Sequence, residues 1–300
     1  MKFHRFLLII PLIISCYNKK ISADSMPDIH FDTQGHRGCR GLMPENTIPA
    51  MINALELGVT TLEMDAVITK DNKVVMSHEP FFNHEITTKP DGSYVSESEE
   101  KSLNIFLMDY DEVRKYDVGM RQHPRFQQQQ KMKVSKPLFD DLLDSVQKYI
   151  TSHKRPLPYF NIETKTTPLT DNIYHPEPAK FVETLMSVIT EKGIEERVII
   201  QSFDFRTLQY LHEKYPSVKT AMLIEDYDKR GLKDQLEALG FLPTIYSPEY
   251  SLVTEDLVKS CHGQKIKVIP WTVNDKATID RLKALGVDGI ISDYPNLFKN

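Results

Sequence analysis

Three cysteines in 300 residues are too few for a disulfide-built scaffold. Two of them, Cys39 and Cys261, fall in separate loops of the pattern described below and are expected to stay unpaired, Cys39 as a small buried side chain. Long apolar runs are also missing. The stretch Phe6 to Ile14 is too short to span a bilayer comfortably. No basic run occurs and the net charge is −5, so no nucleic-acid partner is expected. No internal repeat is evident. The four glutamines Gln127 to Gln130 read as a solvated loop tip. What remains is 40% apolar and 26% charged, an ordinary globular composition long enough for one large domain.

The N-terminus carries a targeting pattern. Met1-Lys2-Phe3-His4-Arg5 is a basic head, Phe6 to Ile14 an apolar stretch, and Ile13-Ile14-Ser15-Cys16 resembles a bacterial lipobox. Residues 1–15 are expected to be a lipoprotein-type signal peptide, cleaved before Cys16 with lipid on its sulfur, and residues 16–28 a polar tether. The expected location is outside the cytosol, as a periplasmic or cell-envelope lipoprotein held to the membrane by that anchor. The alternative is an ordinary secretory signal that contains a cysteine.

From residue 29 to 300 strands alternate with helices. Strand patterns cover 31–36, 61–67, 73–77, 158–163, 197–201, 219–224, 243–247, 266–270 and 288–292. Helix patterns cover 47–57, 138–150, 177–192, 204–214, 229–239, 254–262 and 275–285, several closed by glycine: Gly58, Gly193, Gly240 and Gly286. Such alternation predicts an α/β fold, a parallel TIM (β/α)8 barrel. Nine strands compete for eight places. Asp65 to Val74 is too short a link for a helical crossover, and Lys70-Asp71-Asn72-Lys73 reads as a tight turn. A hairpin centred there would set Asp65 opposite His78. Residues 80–135 show no long helical period and are read as a small insertion after the third strand.

One stretch concentrates chemistry. Gln34-Gly35-His36-Arg37-Gly38 ends the first strand, and Pro44-Glu45-Asn46-Thr47 leads into a helix capped by Asn46 or Thr47, with Pro49 in its first turn. A histidine and an arginine between glycines can pair a general base with a phosphate clamp. Glu63 and Asp65 alternate onto one face of the next strand, and with Glu163 they form an oxygen-only set suited to one divalent metal ion, Ca²⁺ or Mg²⁺, rather than a structural zinc. His78 ends the third strand and would complete an acid–base pair with His36. Lys165 shares the face of Glu163.

These pieces, with Glu163-x-Lys165, Gln201-Ser202-Phe203, Trp271-Thr272-Val273-Asn274 and Asp288-Gly289-Ile290-Ile291-Ser292-Asp293, resemble the glycerophosphodiester phosphodiesterase family from His36 to nearly the C-terminus. The resemblance implies the same barrel, with the insertion capping the active-site mouth. It implies metal-dependent hydrolysis of a small-molecule glycerophosphodiester to glycerol 3-phosphate and an alcohol, with His36 and His78 catalytic. With a net negative chain, the phosphate must be attracted locally. Arg37 and Lys165 are candidates for that task, and Phe203 and Trp271 for the glycerol end. Asp293 and Pro295 are expected to close the barrel. The remaining histidines, His123 among them, are read as surface or packing residues. No protein partner is indicated. Two other readings stay open: a phospholipase-like phosphodiesterase acting on lysophospholipids, and a lipid-anchored binding protein without catalysis.

Overall fold

The computed structural model describes residues 30–299; the expected signal peptide (1–15), Cys16 and the expected tether (16–28) lie outside the described residues. All nine expected strands form: β1 (Asp32–Gly35), β2 (Thr61–Ile68), β3 (Val74–Met76), β4 (Tyr159–Thr164), β5 (Val198–Ser202), β6 (Lys219–Ile224), β7 (Ile245–Pro248), β8 (Lys267–Val268) and β9 (Gly289–Ser292). Eight of them run parallel in the order β8-β7-β6-β5-β4-β2-β1-β9. The ring closes between the segment around β8 and β9, through Asp288 N–H to Val268 C=O at 2.9 Å and Ile291 N–H to Pro270 C=O at 3.0 Å. The fold is the TIM barrel that the alternation predicts.

The seven expected helices surround it: α1 (Ile48–Leu57), then, after the short α2 (Tyr110–Val113) of the insertion, α3 (Phe139–His153), α4 (Pro178–Lys192), α5 (Phe205–Lys214), α6 (Leu232–Leu239), α7 (Glu255–Gly263) and α8 (Lys276–Ala284). Thr47, not Asn46, caps α1, its hydroxyl accepting from Ala50 N–H at 3.4 Å. Among the described residues no helix is long and apolar enough to cross a membrane.

The ninth strand is a hairpin arm. β3 pairs antiparallel with β2 in the register Ala66↔Met76, Val67↔Val75, Ile68↔Val74. That register sets Asp65 opposite Ser77, whose N–H donates to Asp65 C=O at 2.9 Å, and not opposite His78 as the sequence suggests. The cause is the turn. Thr69 and Lys73 close it by a 3.0 Å bond, Asn72 takes a left-handed φ of 57°, and the three-residue loop moves the pairing by one place.

Alternation along the strands divides the barrel wall. Leu62, Met64 and Ala66 face outward and join the main core under the helices, while Glu63 and Asp65 point inward. Ile199, Ala221, Ile245, Ile269 and Ile291 fill a small apolar cluster of their own. The insertion builds a separate core in which Phe82, Ile86, Ile105 and Val113 pack against Val67 and Val75 of the hairpin. Extending β2 beyond the barrel therefore gives the insertion its platform.

Candidate active site

The turn after β1 presents the first half of the site. His36 N–H still pairs with Ser292 C=O of β9 at 2.9 Å, and the chain then doubles back, with Gly38 N–H donating to Gly35 C=O at 3.1 Å. Glycine is required twice here. A Cβ on Gly35 would stand 2.0 Å from Gly38 O, and Gly38 sits at φ +83° against Ala50. Arg37 itself is left-handed, φ 49°, a conformation costing on the order of 1 kcal/mol. Its N–H donates to Glu63 Oε2 at 2.7 Å, which fixes the strained residue.

Three carboxylates face this turn. Glu63 and Asp65 on β2 and Glu163 on β4 each offer an oxygen, all within 4.8 Å of one another, and all three side chains are buried. The cross-strand register explains the meeting, because Asp65 pairs directly with Glu163. Their charge is unevenly balanced. Burial raises Asp65, but Arg37, whose Nε stands 3.2 Å from Oδ2, overrides it and holds this carboxyl well below the usual range. Burial together with Asp65 pushes Glu63 well above the usual range. Glu163 is pushed up to about 7 by burial, although Lys165 Nζ donates to its Oε1 at 2.7 Å. Asp65 Oδ1 is buried without a hydrogen-bond partner. Negative charge in excess of its partners, with an orphaned oxygen aimed at the cluster, fits a hard divalent cation.

Two histidines flank the carboxylates. His36 Nδ1 meets Asp293 Oδ1 at 2.6 Å, and His78 Nδ1 meets Glu79 Oε1 at 2.7 Å. Both carboxyls are shifted down, hence ionised at neutral pH, so each Nδ1 carries the proton and each Nε2 is left to accept one. Burial lowers the pKa of both rings; for His78 the positive Lys165 and Arg37 add to it and bring it to about 4. Arg37 donates through Nη1 to Glu45 Oε1 at 2.8 Å. A cavity of about 220 Å³ is lined by His36, Arg37, Glu63, His78, Glu163, Phe203 and Trp271. The last two make an edge-to-face aromatic pair with centroids 5.6 Å apart. Asp65 and Lys165 join through their ion pairs. All nine site candidates of the barrel thus converge at the C-terminal ends of its strands, whereas Cys16 lies outside the described residues. A larger groove, about 820 Å³, runs over α6 and α7 on the barrel's outside, and none of these residues lines it.

The profile of the glycerophosphoryl diester phosphodiesterase family matches residues 36–297. This chain belongs to that family. A glycerophosphodiester phosphodiesterase of Caldanaerobacter subterraneus is 29% identical over 268 residues, covering 88% of this chain and 95% of the relative. One from Bacillus subtilis is 25% identical, covering 89% and 84%. Among solved structures, one from Silicibacter pomeroyi superposes with a TM-score of 0.79 at 29% identity, covering 90% of this chain and 92% of its own. An Oleispira antarctica phosphodiesterase in complex with sn-glycerol-3-phosphate shares the fold, with a TM-score of 0.69 at 19% identity over 88% and 94%. The chain is therefore an enzyme, a phosphodiesterase acting on glycerophosphodiesters.

Several residues of the site escape sequence reading. Asp293 does more than close the barrel: besides His36 it holds Arg40 Nε at 2.9 Å and Asn274 Nδ2 at 2.7 Å. Asn46, released from capping, takes φ 55° and clasps Asp65, donating Nδ2 to Oδ2 at 2.8 Å and accepting Asp65 N–H at 3.0 Å. Gln201 donates to Glu63 Oε1 at 2.7 Å. His123 is a buried residue of the insertion, 4.0 Å from Glu45. Lys136 is buried too and donates to Ser77 Oγ at 2.8 Å; burial depresses its pKa to about 8. Asn46, Gln201 and Asp293 lie in motifs the sequence shows, though their partners are not legible there, and Glu79 is an acid directly after a candidate histidine. The contacts of the first three depend on side chains 19 to 257 positions apart meeting in space.

Proposed function

We propose that this enzyme hydrolyses glycerophosphodiesters to glycerol 3-phosphate and an alcohol, using one divalent ion, Ca²⁺ or Mg²⁺, held by Glu63, Asp65 and Glu163. The observation that carries this reading is the buried three-carboxylate cluster set between two histidines in one cavity. When bound, the ion would polarise phosphoryl oxygens and lower the pKa of a hydroxyl. The chain's own residues do the rest. Arg37 and Lys165 attract and orient the phosphate, and the Phe203–Trp271 pair packs the carbon face of the glycerol.

His36 Nε2 accepts the proton of the attacking oxygen as the new P–O bond forms. That oxygen is water's, or the neighbouring glycerol hydroxyl's, which gives a cyclic phosphate first. The P–O bond to the alcohol breaks, and His78 delivers a proton to the departing oxygen. Burial is the larger cause of the lowered His78 pKa; an anionic diester beside Arg37 and Lys165 offsets the smaller, electrostatic part and so favours the protonated acid.

The test is turnover of a glycerophosphodiester panel with and without chelator, with trapping of cyclic phosphate. Full activity in chelator would remove the metal from the mechanism. We also propose that Cys16 is lipidated and anchors an exported enzyme. Cys16→Ser should then release the protein from the membrane fraction, and unchanged membrane association would refute the anchor.

A further inference from the structure

We propose that the alcohol released by the enzyme is bound in a second chamber, between barrel mouth and insertion, that selects small hydroxyl-rich alcohols over quaternary ammonium ones. The inference rests on the phosphodiesterase reading above. A cavity of about 180 Å³ adjoins the catalytic one and shares Arg37, Arg40, His78 and Arg125 with it. His78, the donor to the leaving oxygen, stands on the boundary. The aromatic pair lies in the catalytic cavity, so a diester with its glycerol there extends its other arm past His78 into the chamber.

The chamber's walls have hydrogen-bonding capacity to spare. Among the described residues Glu79 uses only Oε1, on His78 at 2.7 Å. Among the same residues Glu85 uses only Oε2, on Arg125 at 3.3 Å. Asn83 uses its Oδ1 on Glu85 N–H at 2.7 Å, and among the described residues its Nδ2 has no partner. Two free carboxylate oxygens and a free amide donor suit hydroxyl groups, which both donate and accept. A quaternary ammonium can do neither and is recognised by aromatic faces. The chamber's rings are the two imidazoles of His78 and His123; no Phe, Tyr or Trp face lines it, and nearby Phe126 is covered by Arg40, 4.9 Å from its centroid. At about 30 Å³ per small group at liquid density, the space holds a glycerol-sized alcohol.

The test compares kcat/KM for glycerophosphoglycerol, glycerophosphocholine and the methyl diester of glycerol phosphate, whose leaving group is too short to enter the chamber. Wild type should favour glycerophosphoglycerol over glycerophosphocholine by about tenfold, the worth of one hydrogen bond to a charged group. Glu85→Leu should remove that preference and leave the methyl diester within about twofold. Asn83→Leu is the second variant and should act in the same direction. Equal wild-type rates on the two larger substrates, or a preference that survives both substitutions, would overturn the chamber's role. So would a variant that loses the methyl diester in proportion. Failure of wild type on all three would instead bring down the phosphodiesterase reading, and this inference with it.

Discussion

Asp293 illustrates the residue scale. Its carboxylate holds His36 by Nδ1, and so leaves Nε2 as the ring nitrogen free to take a proton. His36→Ala and His78→Ala should each lower kcat by about 10²–10⁴-fold with an intact circular dichroism spectrum, the usual worth of a general acid or base. Asp293→Asn should act through His36: kcat falls, KM hardly moves, and the acid limb of the pH–rate profile shifts. A change confined to KM would refute that role. Glu163 supplies a pH prediction. Its carboxyl is held at about 7, against an ordinary 4.5, chiefly by burial. Between those values the metal-free folded state keeps a proton that the unfolded chain has lost, so metal-free stability falls as pH rises through that window. Metal must displace the proton. Glu63 is raised as well, so affinity should rise with pH through about 7, with proton release on binding, which calorimetry in buffers of different ionisation enthalpy reads directly. Metal uptake without proton release below that pH would contradict it.

At the scale of elements, the β1–α1 turn is the most constrained part of the site. Gly38 sits at φ +83°, and a Cβ there would stand 2.7 Å from the carbonyl carbon of Ala50. Gly38→Ala should cost about 1–3 kcal/mol in denaturant unfolding and lower turnover as well, because Arg37 and His36 ride on the same turn. Wild-type activity in a destabilised variant would separate the turn from the site. The hairpin shows why element scale is only partly legible in sequence. The expectation of nine strands and a turn at 70–73 holds, but the register rests on a three-residue loop with Asn72 left-handed. Composition allows a two- or a three-residue turn there, and one place in register changes the partner of every residue. Asn46 makes the same point. The sequence offers it as a helix cap, and tertiary geometry uses it instead to clasp Asp65, nineteen positions away.

Across the whole molecule, the barrel and its insertion are joined where the chemistry lies. Gln129 of the insertion donates to Arg40 C=O at 2.7 Å, and His123 stands beside Glu45, so the insertion supports the arginine side of the site. Metal should stabilise this entire assembly. An ion at 100 times its dissociation constant adds about 2.7 kcal/mol, a rise of several degrees in melting temperature that chelator should abolish. Identical melting with and without chelator would remove the shared metal site. The sequence by itself determined the barrel, because strand and helix periodicities are local properties of the chain, and it pointed to the candidate site residues that the structure brings together, because each lies beside a strand end or on an alternating face. It could not determine which partners complete them. Asp293 behind His36, Gln201 on Glu63, and the chamber between barrel and insertion all arise from closure of the ring and from packing of 80–135 on the hairpin. Those contacts join residues far apart along the chain, and no local pattern records which distant side chain will arrive at a given place.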